Sequence, residues 1–177
     1  DVSGVVAKAA EMINNGEVEQ NHIGKTVLVI DEAQDMGSDD YALVSALMAV
    51  NEDMRVIAVG DDDQNIYEFR GSDSKYMYQL SKEPGGRFIE MTENYRSSRL
   101  VVGAANDFVR LIRYRLKKAP ILSMSSDDGE VRITRHTSKY MFLPVADDIM
   151  KRGKGTSCIL TQTNEEAVVM LALLNRR

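Results

Sequence analysis

Two short apolar runs limit the fold of this chain more than any other feature. VLVI at 27–30 and RVIAV at 55–59 are rich in β-branched residues, and acidic side chains follow each run within two positions. Apolar runs that do not alternate with polar residues predict strands buried on both faces, as in a parallel sheet. A helical pattern that begins near Ser38 separates the two runs, so the order strand, helix, strand indicates an α/β fold.

The flanking segments extend this alternation. Helical spacing predicts a helix at 2–13 and a short helix at 75–81, and the run FIEM predicts a third strand at 88–91. A further helix is predicted after a cap at Ser97 or Ser98. We expect that helix to bury a stripe on one face, made of Leu100, Val101, Ala104, Ala105, Phe108, Val109 and Ile112.

A polar, turn-rich stretch at 118–130 predicts a boundary between two domains, 1–118 and 119–177. Beyond it the patterns predict a strand at 131–134, a helix at 143–151, a strand at 157–160 and a helix at 165–174. Because these elements are too few to complete a sheet, we interpret 119–177 as the beginning of a second α/β unit.

Composition excludes several classes of protein. The single Cys158 excludes an internal disulfide, and His22 and His136 lie too far apart in sequence to show ligand spacing, which argues against a cysteine or histidine metal centre. No apolar run approaches the ~20 residues of a membrane span. These features predict a cytoplasmic protein without a membrane partner. The net charge of −5 argues against a protein that coats nucleic acid through a basic surface.

The first motif is DEAQD, which follows the run at 27–30 directly. Asp31 and Glu32 are expected at the carboxyl end of a strand, where the ligands of open α/β sheets bind. An acid at that place can hold Mg²⁺, and its neighbour can activate an attacking water. A bare pair of acids after a strand more often only begins a turn, so the functional interpretation depends on the complete string.

The second motif is GDDDQNIYEFRG, which follows the run at 55–59. Its three successive aspartates repel one another, so they are expected to be solvated or to face a cation. Gln64 can both donate and accept hydrogen bonds and can bridge a phosphate and a water. Tyr67, Phe69 and Arg70 combine two aromatic faces with a guanidinium, which suits stacking on unpaired bases. Core packing of Tyr67 and Phe69 is the alternative.

The third motif is TENYRSS at 92–98, which lies between the predicted third strand and the next helix. Arg96 is expected at a helix N-terminus, where a cation is unfavourable for the helix but can bind an anion. Tyr95 beside it can stack on a purine. The alternative is a helix cap that carries an arginine on the surface.

Taken in order, the three strings resemble motifs II, III and IV of superfamily 1 helicases of the UvrD/Rep/PcrA type, with matching spacing. The resemblance covers most of 25–177. It implies a partial RecA-like P-loop NTPase fold with a parallel sheet, followed by the start of a second RecA-like domain. The implied function is an ATP-dependent DNA helicase or translocase that uses ATP and Mg²⁺ and acts on single-stranded and duplex DNA.

The resemblance also implies roles for individual residues. Asp31 resembles the acid that coordinates Mg²⁺, and Glu32 resembles the catalytic base. Gln64 resembles the glutamine that senses the γ-phosphate and couples it to DNA. Tyr95 resembles the tyrosine that stacks on adenine, and Arg96 resembles an arginine finger, a group worth roughly 10³–10⁵ in rate in well-studied NTPases.

The same resemblance places DNA at the second motif. Phe69 stands where the family usually has a tryptophan that stacks on a base, and Phe offers a smaller aromatic face. Arg70 resembles the DNA-contacting neighbour of that tryptophan. Tyr67 is included in the expected DNA site because its ring belongs to the same segment.

The chain contains no recognisable phosphate-binding loop, which reads G-x-x-x-x-G-K-[ST] and opens a helix. Gly24-Lys25-Thr26 lacks the upstream glycine, since Glu19 occupies that position, and it precedes a predicted strand. The GKGT at 153–156 fails for the same two reasons. We therefore expect the loop to lie outside this chain. As a fragment, the chain is expected to be monomeric and inactive in ATP hydrolysis.

Two alternatives stay open. The chain can instead be a helicase-derived module that binds nucleic acid or protein without ATPase activity. The basic residues between 110 and 118 also have two explanations. We favour charge complementarity to a helix C-terminus and solubility over contact with DNA.

Overall fold

The computed structural model describes residues 2–135, 137, 141–152 and 155–175. These residues divide between two compact units, 1–131 and 132–177. His136 and the first two residues of GKGT lie outside the described residues. Within the described ranges, no helix is long and apolar enough to cross a membrane.

The first unit alternates helices with short strands. Its elements in order are α1 (Val2–Asn14), α2 (Gln20–Ile23), β1 (Val27–Ile30), α3 (Ser38–Val50), β2 (Arg55–Ala58), α4 (Lys75–Leu80), β3 (Glu93–Asn94), α5 (Arg99–Val109) and β4 (Leu122–Ser123). Single turns of 3₁₀ helix lie at Ala33–Asp35, Asp62–Gln64 and Glu68–Arg70. The other helices predicted in this unit, and the strands predicted from the two apolar runs, are confirmed to within a few residues at their ends. The helix predicted after Ser97 or Ser98 is formed, but it ends at Val109, before the basic residues that were expected at its C-terminus.

Both strand pairs of the first unit are parallel. β1 pairs with β2, with Leu28 opposite Val56, and β3 pairs with β4 in a separate two-stranded sheet. The α/β class with parallel strands is therefore confirmed. Hydrogen bonds from Val59 N to Ile30 O (2.8 Å) and from Ala33 N to Val59 O (2.9 Å) continue the contact past β1 and β2. The acidic segments that follow these strands consequently meet at one edge.

The strand predicted at 88–91 is wrong. Ile89 and Met91 are exposed, and the strand of this region is β3. Leu122 N donates to Thr92 O at 2.7 Å where the ladder begins. A short apolar run becomes a strand only where another strand satisfies its backbone groups, and here the partner begins after the run has ended. The same pairing explains why the first unit extends past 118, while the assignment of domains to 1–118 and 119–177 stays a prediction.

The core of the first unit lies between α1 and α3. Ala10, Ile13 and Ala46 are buried there. Partly buried apolar side chains surround them: Val18, Ile23, Leu43, Leu47 and Val50. The helices before and after β1 therefore pack on each other, and this contact anchors the segment that carries the first motif.

The prediction that β1 and β2 are buried on both faces is wrong. Val27, Val29 and Ile57 are 49%, 63% and 51% exposed, whereas the residues that alternate with them are half-buried. Successive side chains of a strand point to opposite faces. Within the described residues, only one face of this sheet is covered.

The predicted buried stripe of α5 is also wrong. Val102 is the buried residue of this helix, while Leu100 and Phe108 are exposed. Asn106 exchanges two hydrogen bonds with the backbone of Ile121, at 2.8 and 3.0 Å. Because residues four apart share a helix face, the inward face of α5 is the one that carries Val102 and Asn106.

The second unit contains two helices, α6 (Phe142–Arg152) and α7 (Asn164–Asn175), which contact each other. Ala146 and Met170 are their buried residues among those described. Both helices were predicted from the spacing of apolar residues, and both predictions are confirmed.

Neither of the strands predicted at 131–134 and 157–160 is formed, so both predictions are wrong. Ile133 and Leu160 are almost fully exposed. Both segments have strand propensity, but a strand needs a neighbouring strand to bind its backbone groups. No such neighbour is present among the described residues.

Candidate functional site

The acid pair of the first motif is exposed at the end of β1. Asp31 Oδ1 accepts a hydrogen bond from Glu32 N at 2.9 Å. Glu32 has a φ of 51°, in the left-handed region, which costs a residue with a side chain about 1–3 kcal/mol. The turn is held because Ala33 is fully buried and donates its N–H to Val59 O. Both carboxylates therefore stay accessible at the edge where β1 and β2 end.

Gln34 joins the first two motifs. Its side chain is almost completely buried, with 2% of the residue exposed. Nε2 donates to Glu32 Oε2 at 2.9 Å, and Oε1 accepts from Asp61 N at 2.9 Å. A Cβ at Gly60 would lie only 2.6 Å from Gln34 Oε1, so this close approach requires a glycine. One buried amide thus ties the Glu32 carboxylate to the second motif.

The three aspartates of residues 61–63, which we call the aspartate turn, face cations from the same chain. Arg115 donates to both oxygens of Asp63, from Nε at 2.6 Å and from Nη2 at 2.7 Å. Lys117 Nζ lies 2.5 Å from Asp61 Oδ1 and 3.2 Å from Asp63 Oδ2. The aspartates were expected either to be solvated or to face a cation, and the second of these alternatives is confirmed.

The basic segment, residues 115–117, contacts the aspartate turn through its backbone as well. Leu116 N donates to Asp62 Oδ2. The side chains of Arg115 and Asp63 are only 18% and 9% exposed. The hydrogen bond from Arg115 lowers the pKa of Asp63 below its usual value, against the opposing effect of burial. Asp63 therefore remains ionised and paired at neutral pH.

These pairs correct the favoured account of the basic residues between 110 and 118. α5 ends at Val109, and Arg115 and Lys117 lie beyond its last turn. Their partners are the aspartates rather than the helix C-terminus, so that prediction is wrong for these two residues. A run of acids and a run of bases were both visible in the sequence. Their pairing across 52 to 56 residues was not, because local patterns carry no information about distant partners.

Gln64 is exposed and is tied to the aspartate turn. Its Nε2 donates to Asp61 Oδ2 at 2.8 Å. Since Asp61 N in turn binds Gln34, a continuous set of hydrogen bonds runs from Glu32 through Gln34 and Asp61 to Gln64. The structure therefore brings together the predicted base and the predicted sensor, through Asp61 and through Gln34, which the sequence did not single out.

Tyr67, Phe69 and Arg70 form one surface cluster. The two ring centroids are 6.2 Å apart, and the Arg70 guanidinium carbon lies 5.3 and 5.4 Å from them. Phe69 is 78% exposed and Tyr67 is 39% exposed, so the alternative of core packing is wrong. An exposed ring beside a guanidinium offers a flat surface on which a planar ligand can stack.

Tyr95 and Arg96 lie in the turn before α5, and both are exposed. The Tyr95 hydroxyl donates to Glu93, which raises the pKa of Tyr95. Asn94 Oδ1 accepts from Arg96 N at 3.0 Å. In the described part of the chain, no hydrogen bond or ion pair joins either side chain to the first two motifs. The structure therefore does not assemble the third motif with the other two.

The oxygen donors at Asp31 fit a magnesium ion, which prefers carboxylates and retains several water ligands. Asp31 is exposed, and the one hydrogen bond that its carboxylate accepts within the described residues comes from Glu32 N. The aspartate turn fits less well, although its oxygens lie within 4.8 Å of one another, because Arg115 and Lys117 already pair with two of its three carboxylates. Asp31 is the better candidate ligand.

The expectation that Gly24-Lys25-Thr26 precedes a strand is confirmed. α2 ends at Ile23, and β1 begins after only three further residues. Lys25 N donates to Asn51 Oδ1 at 3.1 Å within this turn. No helix N-terminus follows the tripeptide, so the geometry of a phosphate-binding loop is not available there.

Comparison with known proteins supports the resemblance to the helicase family. Residues 2–85 match the family described as the UvrD/REP helicase N-terminal domain. The chain is 31% identical over 121 residues to the ATP-dependent DNA helicase Rep of Buchnera aphidicola (Schizaphis graminum strain), which is 67% of this chain. It is 31% identical over 151 residues, 80% of this chain, to the ATP-dependent DNA helicase PcrA of Staphylococcus epidermidis. DNA helicase II of Escherichia coli is 32% identical over 133 residues, 73% of this chain.

These similarities support a relationship of this chain to the UvrD-type helicase family. The matched regions make up 18% of the Rep relative, 20% of the PcrA relative and 18% of DNA helicase II. The chain thus spans about a fifth of the length of these curated relatives. All three relatives are named as DNA helicases, and two of the names add that they are ATP-dependent.

Proposed function

We propose that this chain is part of an ATP-dependent DNA helicase or translocase, in which residues 1–118 contribute motifs II, III and IV of a first RecA-like motor domain and residues 119–177 begin a second. The family match and the named relatives support the class of enzyme. The observation that carries the proposal is the buried Gln34 amide, which links the exposed acid pair of the first motif to the second. We further propose that the protein acts in the cytoplasm and that this part is monomeric.

In the proposed reaction, Glu32 is the general base for the attacking water. Its carboxylate is exposed, and one of its oxygens is held by Gln34, which fixes the direction of the other. Asp31 would hold Mg²⁺, which supplies charge neutralisation on the phosphates when it is bound. A positioned general base contributes roughly 10²–10⁴ in rate.

Gln64, Tyr95 and Arg96 would complete the nucleotide site. Gln64 is one hydrogen bond away from Asp61 and two from Gln34. It would sense the γ-phosphate beside the acid pair and couple it to DNA at the second motif. The exposed Tyr95 ring would stack on adenine, and Arg96 would act as the arginine finger. The phosphate-binding loop that this chemistry needs would come from another part of the parent protein.

Single-stranded DNA would bind at the surface cluster of Tyr67, Phe69 and Arg70. The exposed Phe69 ring would stack on a base, an interaction worth roughly 1–3 kcal/mol per base in proteins of this kind. The Arg70 guanidinium lies close to both rings and would add charge toward the phosphates. The cluster follows the aspartate turn by only a few residues, so the DNA site and the sensor share one segment.

A second candidate is a module that binds nucleic acid or protein without hydrolysing ATP. It is favoured by the position of Tyr95 and Arg96, which the described residues do not join to the acid pair. Under this candidate the aromatic cluster keeps its role and the acid pair has none.

The two candidates are separated by ATP hydrolysis in the protein made from the complete reading frame. We expect Mg²⁺-dependent hydrolysis that increases when single-stranded DNA is added, and we expect Asp31→Asn to abolish it. Glu52→Gln, which also removes the charge of one exposed acid, is the control and should change nothing. Tight binding of single-stranded DNA with no hydrolysis would reject the motor and favour the binding module. We expect this chain alone to show no hydrolysis.

A further inference from the structure

The contact between the aspartate turn and the basic segment is the largest charged assembly that the proposed mechanism leaves unexplained. Lys117 lies 15% exposed between Asp61 and Asp63, and Arg115 clamps Asp63 with two hydrogen bonds. By contrast, the ion pair of Lys8 with Glu11 in the same unit has side chains that are more than half exposed. Solvent and salt screen the buried pairs much less than the exposed ones.

We propose that Arg115 and Lys117 are positioning residues, which hold the aspartate turn and thereby orient the Gln64 side chain for hydrolysis. This inference rests on the proposed function, since it assigns Gln64 a catalytic task. Neither basic residue needs to contact the nucleotide or DNA. Both act through the carboxylates to which they are bound.

The route from Lys117 to Gln64 passes through a single carboxylate. Asp61 Oδ1 accepts from Lys117, and Asp61 Oδ2 accepts from Gln64 Nε2 at 2.8 Å. Because the two oxygens belong to one planar group, the ammonium that fixes one of them also fixes the other. Without Lys117, Asp61 Oδ1 would keep only the backbone N–H of Asp63, at 3.1 Å, as its partner. The carboxylate that holds the Gln64 amide would then be less firmly fixed.

The basic segment also supplies the positive charge that balances carboxylates of the aspartate turn. Burial lowers the pKa of Lys117, but hydrogen bonds and charges from Asp61 and Asp63 outweigh burial and raise it above its usual value. The lysine is therefore charged, as the turn needs. Removing one partner of such a buried set leaves an uncompensated charge, which is more disruptive than removing both. The turn would then open or take up water.

The basic segment also connects α5 to the aspartate turn. It follows α5, and its backbone binds Asp62 through Leu116 N. Gln34 holds the aspartate turn from the side of the first motif, and the basic segment holds it from the side of α5. A displacement of the basic segment would therefore also shift the side chain of Gln64.

The first test measures steady-state ATP hydrolysis with saturating single-stranded DNA in the protein made from the complete reading frame. Lys117→Met should lower kcat about tenfold and leave KM for ATP within about twofold, because the lost interaction matters in the transition state rather than in binding. Lys117→Arg keeps the charge and should restore most of the rate. Arg113→Met removes an exposed charge two residues before Arg115 and should have no effect.

The second test is a double-mutant cycle between Asp61→Asn and Lys117→Met. If the pair acts as a unit, the double variant should be no slower than the worse single variant. Strictly additive losses would overturn the inference. Asp61→Asn removes the pair from the other side with little change of shape, so the cycle remains informative if Lys117→Met folds poorly.

A third readout does not depend on activity. Hydrogen–deuterium exchange should speed up together at 58–66 and at 112–118 in Lys117→Met and in Asp63→Asn, because the two segments protect each other. Exchange confined to one segment would contradict the inference. If the unmodified protein does not hydrolyse ATP, the proposed function and the catalytic role given to the pair both fail. If it does and Lys117→Met hydrolyses equally well, only the positioning role fails.

Discussion

The edge that carries the first two motifs and the turn that carries the third are built in opposite ways. At the edge, Gln34 and Asp61 connect Glu32 to Gln64 through hydrogen bonds of 2.8 to 2.9 Å. In the turn, Tyr95 and Arg96 are exposed, and within the described residues they have no bond to that edge. The part of the proposed site that would hydrolyse ATP is therefore preformed. The part that would contact the nucleotide through Tyr95 and Arg96 is not.

This contrast makes a general prediction. Changes at the preformed edge should affect stability and activity together, since the same side chains do both. Changes in the turn or in the exposed aromatic cluster should affect activity or binding and leave stability unchanged. We expect each of the effects below, from the largest to the smallest, in the protein made from the complete reading frame.

Arg96→Ala should give the largest effect. Loss of an arginine finger lowers the rate of hydrolysis by roughly 10³–10⁵, while the exposed position predicts an unchanged thermal midpoint. Arg110→Ala removes another exposed arginine, which pairs with Asp107 on the surface, and it should leave the rate intact. A normal rate in Arg96→Ala would show that the third motif plays no part in catalysis.

Gly60→Ala should damage the preformed edge directly. The new Cβ would lie 2.6 Å from Gln34 Oε1 and 3.0 Å from two backbone nitrogens, so overpacking should cost about 1–3 kcal/mol of stability. Gly103→Ala is the matched control, because a Cβ there meets nothing within 4 Å and lies in a helix. Differential scanning calorimetry should show a lower midpoint for the first variant only. Equal midpoints would mean that Gly60 does not approach Gln34 so closely.

Phe69→Ala should weaken binding of single-stranded DNA and leave the fold untouched. Loss of one stacked base corresponds to roughly 1–3 kcal/mol in binding free energy. Phe108→Ala makes the same chemical change at another exposed phenylalanine and serves as the control. Fluorescence anisotropy with labelled oligonucleotide distinguishes them. If both variants bind like the unmodified protein, the surface cluster is not the DNA site.

Asp63→Asn should produce the smallest and most pH-dependent change. The folded-state pKa of Asp63 is lowered, chiefly by Arg115. Its contribution to stability is therefore complete above the usual carboxyl pKa of about 4 and is lost as the pH falls through the lower folded-state value. The unmodified protein should be more stable than Asp63→Asn at pH 7, and the difference should shrink in acid. A difference that grows in acid would contradict the pairing with Arg115.

Sequence patterns predicted the parts of the structure that depend on local spacing. β1, β2, α1, α3, α6 and α7 are where periodicity placed them. The inward face of α5 was predicted wrongly, because that face is chosen by Asn106 and its partner Ile121 rather than by the most apolar side. The short apolar runs at 88–91, 131–134 and 157–160 did not become strands, since strand formation depends on a partner that periodicity does not reveal.

The candidate site shows the same division. The sequence strings singled out the acid pair, Gln64 and the aromatic cluster as candidates. Gln34, Lys117 and Arg115 were not recognised as parts of the site, because their importance comes from partners up to 56 residues away and from burial. Glu32 was singled out, but its left-handed backbone was not foreseen. Residue type at a motif position is therefore easier to predict than the contacts that hold it.

The most direct test of the central claim compares Glu32→Gln with the unmodified protein in single-turnover hydrolysis, with nucleotide binding measured separately. The account predicts that Glu32→Gln binds ATP with similar affinity, because the amide is nearly isosteric, and hydrolyses it about 10²–10⁴ times more slowly. Hydrolysis by Glu32→Gln at the rate of the unmodified protein would contradict the claim that this acid pair forms the hydrolytic centre.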